Sequence, residues 1–373
     1  MQETDLRRFG ALIQQLLNRQ DLTRETTYSA FAEILQAQQP DLQQGAFLAA
    51  LTAKGETADE VAGAWQAIME FDTVRAEVTS PDPLIENSGT GMDSLKTFNV
   101  SSAAGIVAAA CGAKVARHGA RALTSKRGTV DMLERLGLDV ECSVDTVARS
   151  IETTGIGLFN GMSPQVHPAG LGRILSQIRF GSTLNIAASL ANPAQPTTAL
   201  RGLYTKSLLD PVTEIMQEIG YQSAIVVHGC DDRHEGGIDE ISITGETHLR
   251  SFGVRDNLPA TLRPEDVGLT TAPFEEIAAL DDHEAAAARF VSVISGAGHE
   301  ACVDFTCLNA AGILLAGGIA SSLTEGVAVS REAIDGGHAA EKLKQWVTAQ
   351  NSAPEQGLQR LQDCFDAARL ATS

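Results

Sequence analysis

The strongest constraint on this chain lies just beyond Pro81-Asp82-Pro83. From there short β-branched runs alternate with stretches of helical spacing. Leu84-Ile85, Lys114-Val115-Ala116, Ile156-Gly157-Leu158-Phe159 and Ala224-Ile225-Val226-Val227-His228 read as strands, with helices such as Val100 to Cys111 and Val130 to Leu136 among them. Strands separated by helices cannot pair as tight hairpins, so they run parallel. The pattern predicts an α/β domain built on a central mixed, largely parallel sheet. Ile241-Ser242-Ile243-Thr244 reads as a further strand. Residues 283–296, 307–323, 327–335 and 338–349 read as helices, the last two parted by Gly336-Gly337. Residues 160–200 carry helical spacing with joints at His167-Pro168 and Asn192-Pro193. The tail from Asn351 reads as a polar linker and a short amphipathic helix.

Residues before the linker are helical throughout. Leu6, Phe9, Leu12, Ile13, Leu16 and Leu17 recur at three- and four-residue steps. Thr23 or Thr27 caps a second helix with Ala30, Phe31, Ile34 and Leu35 on its apolar face, and Gln44 to Lys54 and Thr57 to Phe71 make two more. The expected organisation is a small N-terminal helical domain, residues 1–80, and a large α/β domain, residues 81–373.

Composition excludes several function classes. The 28 Lys and Arg against 47 Asp and Glu leave a formal charge of −19 without a long basic run, which argues against nucleic-acid binding by counterion release. No run of about 18 apolar residues suggests a membrane span. The start, MQETDLRRFG, has no basic segment followed by an apolar one. The six cysteines form no C-x-x-C pair and read as thiols in a reducing compartment. A cytoplasmic protein is expected.

Three clusters carry chemistry. Gly89-Thr90-Gly91-Met92-Asp93 and Thr97-Phe98-Asn99-Val100-Ser101-Ser102 lie after a strand and before a helix. Glycines let the backbone approach an anion, and helix-start amides and hydroxyls then point at it. The alternative is a tight turn whose Asn and Ser only cap the helix. Arg117-His118-Gly119-Ala120-Arg121 and Thr124-Ser125-Lys126-Arg127-Gly128-Thr129 reverse the local charge of an acidic chain, at the sheet edge where open α/β folds bind ligands. The plainer reading is a solvated basic loop. Asp239 and Glu240 can share Mg²⁺, which favours oxygen ligands and bridges carboxylate to phosphate, or form an ordinary surface pair. His167 suits packing as well as catalysis, and Cys230 has no base at fixed spacing.

In order along the chain these segments resemble the anthranilate phosphoribosyltransferase family. Its GTGGD loop corresponds to Gly89-Thr90-Gly91-Met92-Asp93, its N-x-S-T helix start to Asn99-Val100-Ser101-Ser102, its KHGNR segment to Arg117-His118-Gly119-Ala120-Arg121, and its G-S-A-D to Gly128-Thr129-Val130-Asp131. The Asn192-Pro193 joint, Val226 to Gly229 with Asp239-Glu240, Pro264 to Leu269, Asn309-Ala310-Ala311 and Glu332 to Asp335 follow in register. The resemblance implies a nucleoside phosphorylase/phosphoribosyltransferase-type fold, with helices from about 160–200 returning to the helical domain, and a homodimer joined through that domain. It implies phosphoribosyl pyrophosphate (PRPP) with Mg²⁺ as donor and a small aromatic or heterocyclic amine as acceptor. The implied substrate-binding residues are Gly89, Thr90, Gly91, Asp93, Thr97, Asn99, Ser101, Ser102, Arg117, His118, Gly119 and Thr129. The implied metal residues are Asp239, Glu240 and Ser101. No residue is singled out as a catalytic acid or base.

Apart from Met92 in the glycine loop, the departures fall on the acceptor side. Met92 replaces the loop's second glycine and Ala120 the Asn of KHGNR. Gln177 aligns with the acceptor-site Arg, with Arg173 and Arg179 as neighbouring candidates, and Ala188-Ser189-Leu190 replaces G-P-L. These changes point to a rebuilt acceptor site, so the acceptor need not be anthranilate. Rival readings are a nucleoside phosphorylase, which would use phosphate as nucleophile, and a non-catalytic member binding ligand or nucleic acid.

Overall fold

The computed structural model describes residues 3–91, 93–121, 128–254 and 258–372; Met92 and the segment Thr124 to Arg127 lie outside the described residues. The elements, in order, are α1 (Glu3–Leu17), α2 (Arg24–Leu35), α3 (Asp41–Lys54), α4 (Ala58–Phe71), β1 (Leu84–Gly89), α5 (Val100–Ala110), β2 (Lys114–Gly119), α6 (Thr129–Arg135), α7 (Val144–Thr154), β3 (Ile156–Asn160), α8 (Leu171–Ile178), α9 (Thr183–Ser189), β4 (Thr198–Gly202), α10 (Leu209–Glu218), β5 (Ser223–Cys230), β6 (Gly237–Ile238), β7 (Thr247–Phe252), β8 (Thr261–Leu262), α11 (Phe274–Ile277), α12 (His283–Ile294), α13 (Glu300–Ala316), α14 (Leu323–Asp335), α15 (His338–Ala349) and α16 (Pro354–Thr372).

The sheet order is β3-β2-β1-β4-β5-β7-β8, with β6 paired to β5. The five strands from β3 to β5 are parallel, and β6, β7 and β8 are antiparallel additions. The chain steps outward from β1 through β2 to β3 and then returns to place β4 on the other flank of β1. The carboxyl ends of β1 and β4 therefore flank the topological switch point, where connections diverge and leave a crevice.

Small residues let α5 lie close on one face. A Cβ on Gly105 would come within 3.2 Å of Asn87 Oδ1 and 3.3 Å of Arg117 Cδ. Behind α5, α13 is buried almost end to end, and the core here joins Ile106, Val107, Phe305, Leu308, Leu314 and Trp346. On the opposite face a second core joins α1–α4 with α8 and α9, through Phe9, Phe31, Phe47, Leu171, Ile174 and Leu184. It continues onto the sheet through Ala199, Ala224 and Val226. The chain thus has a small N-terminal helical domain and a large α/β domain with a mixed, mostly parallel sheet.

Several elements differ from the sequence expectation. Ile241–Thr244 is not a strand. The isoleucines are buried, but the backbone is held by side chains: Ile241 N–H donates to Asn309 Oδ1 at 2.9 Å, Asn309 Nδ2 donates to Ile241 O at 3.0 Å, and Ser242 N–H donates to Thr247 Oγ1 at 2.8 Å. The strand follows instead at β7. Helix α7 carries a legible signal, with Ser143 as N-cap, Val144, Val147 and Ile151 on one face and left-handed Gly155 at its end. Strand β4 was hidden by the arginine inside it. Helix α13 begins at Glu300 rather than 307, and the tail helix α16 runs for 19 residues.

Candidate active site at the carboxyl edge of the sheet

Glycines end the three strands around the switch point: Gly119 on β2, Gly89 on β1 and Gly202 on β4, the last two in register. A Cβ on Gly89 would lie 2.2 Å from Asp239 Oδ2, and one on Gly202 only 1.6 Å from Asp239 O. The Asp239-Glu240 segment, which follows β6, can cross the strand ends only because they have no side chains.

The loop after β1 is fastened to the same place. Thr90 N–H donates to Gly202 O at 3.1 Å, Tyr204 N–H donates to Thr90 Oγ1 at 3.0 Å, and Gly91, at φ +71°, donates its N–H to Asp239 Oδ2 at 2.6 Å. Lys96 Nζ donates to Asp93 Oδ1 at 2.5 Å and Gly91 O at 3.0 Å. Thr97 forms a bridge with Ala278. Asn99 sits at the N-cap of α5; its side chain makes no capping bond, while its carbonyl accepts from Ser102 and Ala103. Ser101, in the first turn, donates its hydroxyl to Glu240 Oε1.

Asp93, Asp239 and Glu240 form a buried acidic group. Burial, then the charge of Asp239, pushes the Asp93 carboxyl up to about 6 and that of Glu240 up to about 8. The raised Asp93 and Glu240 carboxyls, buried beside Asp239, would be relieved by a cation. All the donors, with the Ser101 hydroxyl, are hard oxygens, which fits Mg²⁺. No set of three or more His, Cys, Asp or Glu side chains among the described residues forms a complete metal cage. This suits Mg²⁺, which is usually held by one or two carboxylates and completed by phosphate oxygens and water.

The two faces of β2 separate the predicted donors. Arg117 points toward α5, is buried, and donates through one Nη to Ser102 Oγ at 2.5 Å; among the described residues its Nε–H has no partner, nor has the neighbouring Asn87 Oδ1. Desolvation pulls its guanidinium down to about 10, against the pull of Glu240 and Glu86. His118 faces the helical domain. Its Nε2 lies 3.3 Å from His167 Nε2, whose ring binds back through Nδ1 to Asp72 O at 2.9 Å. Burial, then His167 and Arg201, pulls His118 down to about 3, and burial also lowers His167, so both rings are neutral near pH 7.

The two described arginines of the expected basic cluster, Arg117 and Arg121, part from each other. Arg121 is paired with Asp131, Glu134 and Glu141 at 3.1, 2.7 and 3.3 Å. Thr129 opens α6 and packs its side chain by Gly119. Gln177 is exposed on α8, Arg173 is tied to Asp41 and Gln44, and Arg179 bonds Ser176 O. Cys230 has its thiol pushed up by burial and lacks an activating base beside it among its hydrogen bonds.

Sequence reasoning missed four site residues. Lys96 pins the loop and Asn87 Nδ2 donates to Ser101 O at 2.7 Å. Glu86, fully buried and raised by that burial, accepts from Tyr221 Oη at 2.6 Å. Arg201, on β4, donates to Ser88 Oγ at 2.6 Å and to Ser189. Nothing in local spacing marks them; a charge inside an apolar run was the one cue for Arg201.

Comparison with known proteins fits this geometry. The "Glycosyl transferase family, a/b domain" profile matches residues 81–340 and its "helical bundle domain" companion matches 11–72. The chain is 35% identical over 347 residues to an anthranilate phosphoribosyltransferase of Rhodopseudomonas palustris (strain BisB18), covering 92% of this chain and 99% of that protein. It belongs to the anthranilate phosphoribosyltransferase family. Another relative in the family, from Anaeromyxobacter sp. (strain K), is 38% identical, with 90% of this chain and 97% of that one covered. The crystal structure of the Thermus thermophilus enzyme superposes with a TM-score of 0.82 at 30% identity, covering 91% of this chain and 99% of that one. The fold is also shared, at 23% identity and a TM-score of 0.79 over 93% of this chain and 98% of that one, by the Saccharomyces cerevisiae enzyme solved in complex with PRPP and Mg.

Proposed function

We propose that this chain transfers the 5-phosphoribosyl group of PRPP, bound with Mg²⁺, to an aromatic or heterocyclic amine and releases pyrophosphate. The observation that carries this reading is the meeting of Asp93, Asp239 and Glu240 with Ser101 and the α5 start at the glycine-ended switch point. Gly89, Thr90, Gly91, Asp93, Thr97, Asn99, Ser101, Ser102, Arg117, Gly119 and Thr129 line the donor side, and His118 faces the acceptor. Asp239 and Glu240, with Ser101, would hold the metal.

The reaction breaks the C1–O bond to pyrophosphate and forms a C1–N bond, and the amine then loses a proton. Positive charge builds on the ribose and negative charge on the leaving group. Bound Mg²⁺ supplies charge neutralisation for that leaving group. The Ser101 amide in the first turn of α5, the Ser101 and Ser102 hydroxyls and buried Arg117 add preorganised donors at the positive end of the helix. An aromatic amine needs little activation, so positioning supplies much of the acceleration. Ala120, Gln177 and Ala188-Ser189 support an acceptor site built differently from the family pattern, so the acceptor need not be anthranilate. A homodimer joined through the helical domain, residues 1–80, belongs to the same reading. No helix among the described residues is long and apolar enough to cross a membrane.

Calorimetric titration of PRPP with and without Mg²⁺, then an acceptor screen following pyrophosphate release, tests the reading. Mg²⁺-dependent PRPP binding is expected. Metal-independent binding, or phosphate-dependent cleavage of nucleosides in its place, would overturn it.

A further inference from the structure

In a parallel strand covered on both faces apolar residues are the rule. Asn87 breaks it inside β1, on the face toward α5, with 2% of its surface exposed. The β1–β2 register, continued two residues, sets it opposite Arg117, itself 3% exposed. Asn87 Nδ2 donates to Ser101 O at 2.7 Å. That carbonyl belongs to the peptide joining Ser101 to Ser102. In an α-helix it also takes the N–H four residues on, so Asn87 fills its second lone pair. Access depends on Gly105, one turn later. A Cβ there would lie 3.2 Å from Asn87 Oδ1, 3.6 Å from Asn87 Nδ2 and 3.3 Å from Arg117 Cδ.

The pinned peptide carries two hydroxyls with different partners. Ser101 donates to Glu240 Oε1, while Ser102 Oγ accepts from Arg117 at 2.5 Å. The ordinary restraint on such a first turn is a side-chain bond from the N-cap residue, and Asn99 makes none here. Asn87 supplies a restraint from the strand in its place. Its amide is oriented from both sides: the Ser101 carbonyl requires a donor, and the guanidinium beside it favours the amide oxygen. An aliphatic side chain of the same size could make neither interaction.

We propose that Asn87 is a positioning residue for the transfer reaction: it pins the Ser101–Ser102 peptide and so aims the Ser101 hydroxyl at the Asp239-Glu240 edge of the donor site. The assignment rests on the phosphoribosyl-transfer reading and adds to it a residue that touches neither substrate nor metal. The test is calorimetric titration of Mg²⁺·PRPP into the full chain and its variants, with thermal unfolding as the check on folding. Asn87→Leu, similar in size and without donor or acceptor, is expected to weaken binding about tenfold or more. Asn87→Asp keeps an oxygen beside Arg117 but turns a second acceptor on the Ser101 carbonyl, and is expected to weaken it as well. In a Ser101→Ala background, Asn87→Leu is expected to cost less than about threefold, because no hydroxyl remains to be aimed. A role in folding alone would cost the same in both backgrounds. Gly105→Ala, which crowds the amide and leaves Asn87 in place, is expected to weaken binding several-fold and decides the matter where the Asn87 variants do not fold. Wild-type affinity in folded Asn87→Leu or Asn87→Asp, or in Gly105→Ala where that variant decides, overturns the assignment while the donor reading stands. Equal cost in the two backgrounds does the same. A wild type that does not bind Mg²⁺·PRPP sinks both.

Discussion

Gly202→Ala isolates the close approach on which the proposed metal site depends. Gly202 has no left-handed backbone angle, so the substitution carries no conformational penalty of that kind and acts only through its methyl group. That carbon would lie 1.6 Å from the carbonyl oxygen of Asp239, against an ordinary contact of 3.4 Å or more, so the Asp239-Glu240 segment must retreat by nearly 2 Å. The neighbour is backbone and no rotamer change can absorb the clash. Overpacking of this kind costs about 1–3 kcal/mol. The same retreat breaks the Gly91–Asp239 bond, for a charge-assisted interaction about 1.5–3 kcal/mol. Because Mg²⁺ demands near-ideal geometry at about 2.0–2.1 Å, its affinity should fall much further than the fold's stability, by at least tenfold. Thermal unfolding and calorimetric Mg²⁺·PRPP titration read the two effects separately. Gly112→Ala, whose Cβ meets nothing within 4 Å, though at φ +100°, shows backbone strain without the clash. A Gly202→Ala protein that binds Mg²⁺·PRPP like the wild type would refute the reasoning.

Two further outcomes follow from the same geometry. Glu240 and Asp93 hold their protons up to about pH 8 and 6, and a metal needs them ionised, so Mg²⁺ binding should displace protons and weaken as pH falls from 8 toward 6. Calorimetry in buffers of different ionisation enthalpy measures that release, and Glu240→Gln should reduce it. Asn309→Ala should destabilise the fold by about 2–3 kcal/mol, because it strips Ile241 of partners for both its buried N–H and C=O; chemical denaturation measures it, and a loss under 1 kcal/mol would contradict the role.

Much of the candidate site's local geometry was legible because its pieces are local. The run from Leu84 to Ser102 is a strand, a glycine turn and a helix start in sequence, and each residue's place in it follows from its immediate neighbours. Helices α1 to α4 were equally plain, since an amphipathic stripe and caps such as the Thr57–Glu60 capping box are short-range signals. The failures have one origin. Ile241–Thr244 looked like a strand because alternation reports burial, whereas Asn309, 68 residues away, decides what its backbone bonds to. Arg121 looked like part of a phosphate-binding patch until three carboxylates surrounded it.

The amino-acid order alone determined the helices α1 to α4 and the strand, glycine turn and helix start from Leu84 to Ser102, because backbone sterics and side-chain periodicity act over a few residues. Tertiary structure alone decided that Asp239 would close over Gly89, 150 positions earlier in the chain, and that a lone arginine in β4 would lie buried beside Ser88 and Ser189 with no described carboxylate in contact. Both depend on strand order and register, and these are set by packing the whole sheet between its two layers of helices.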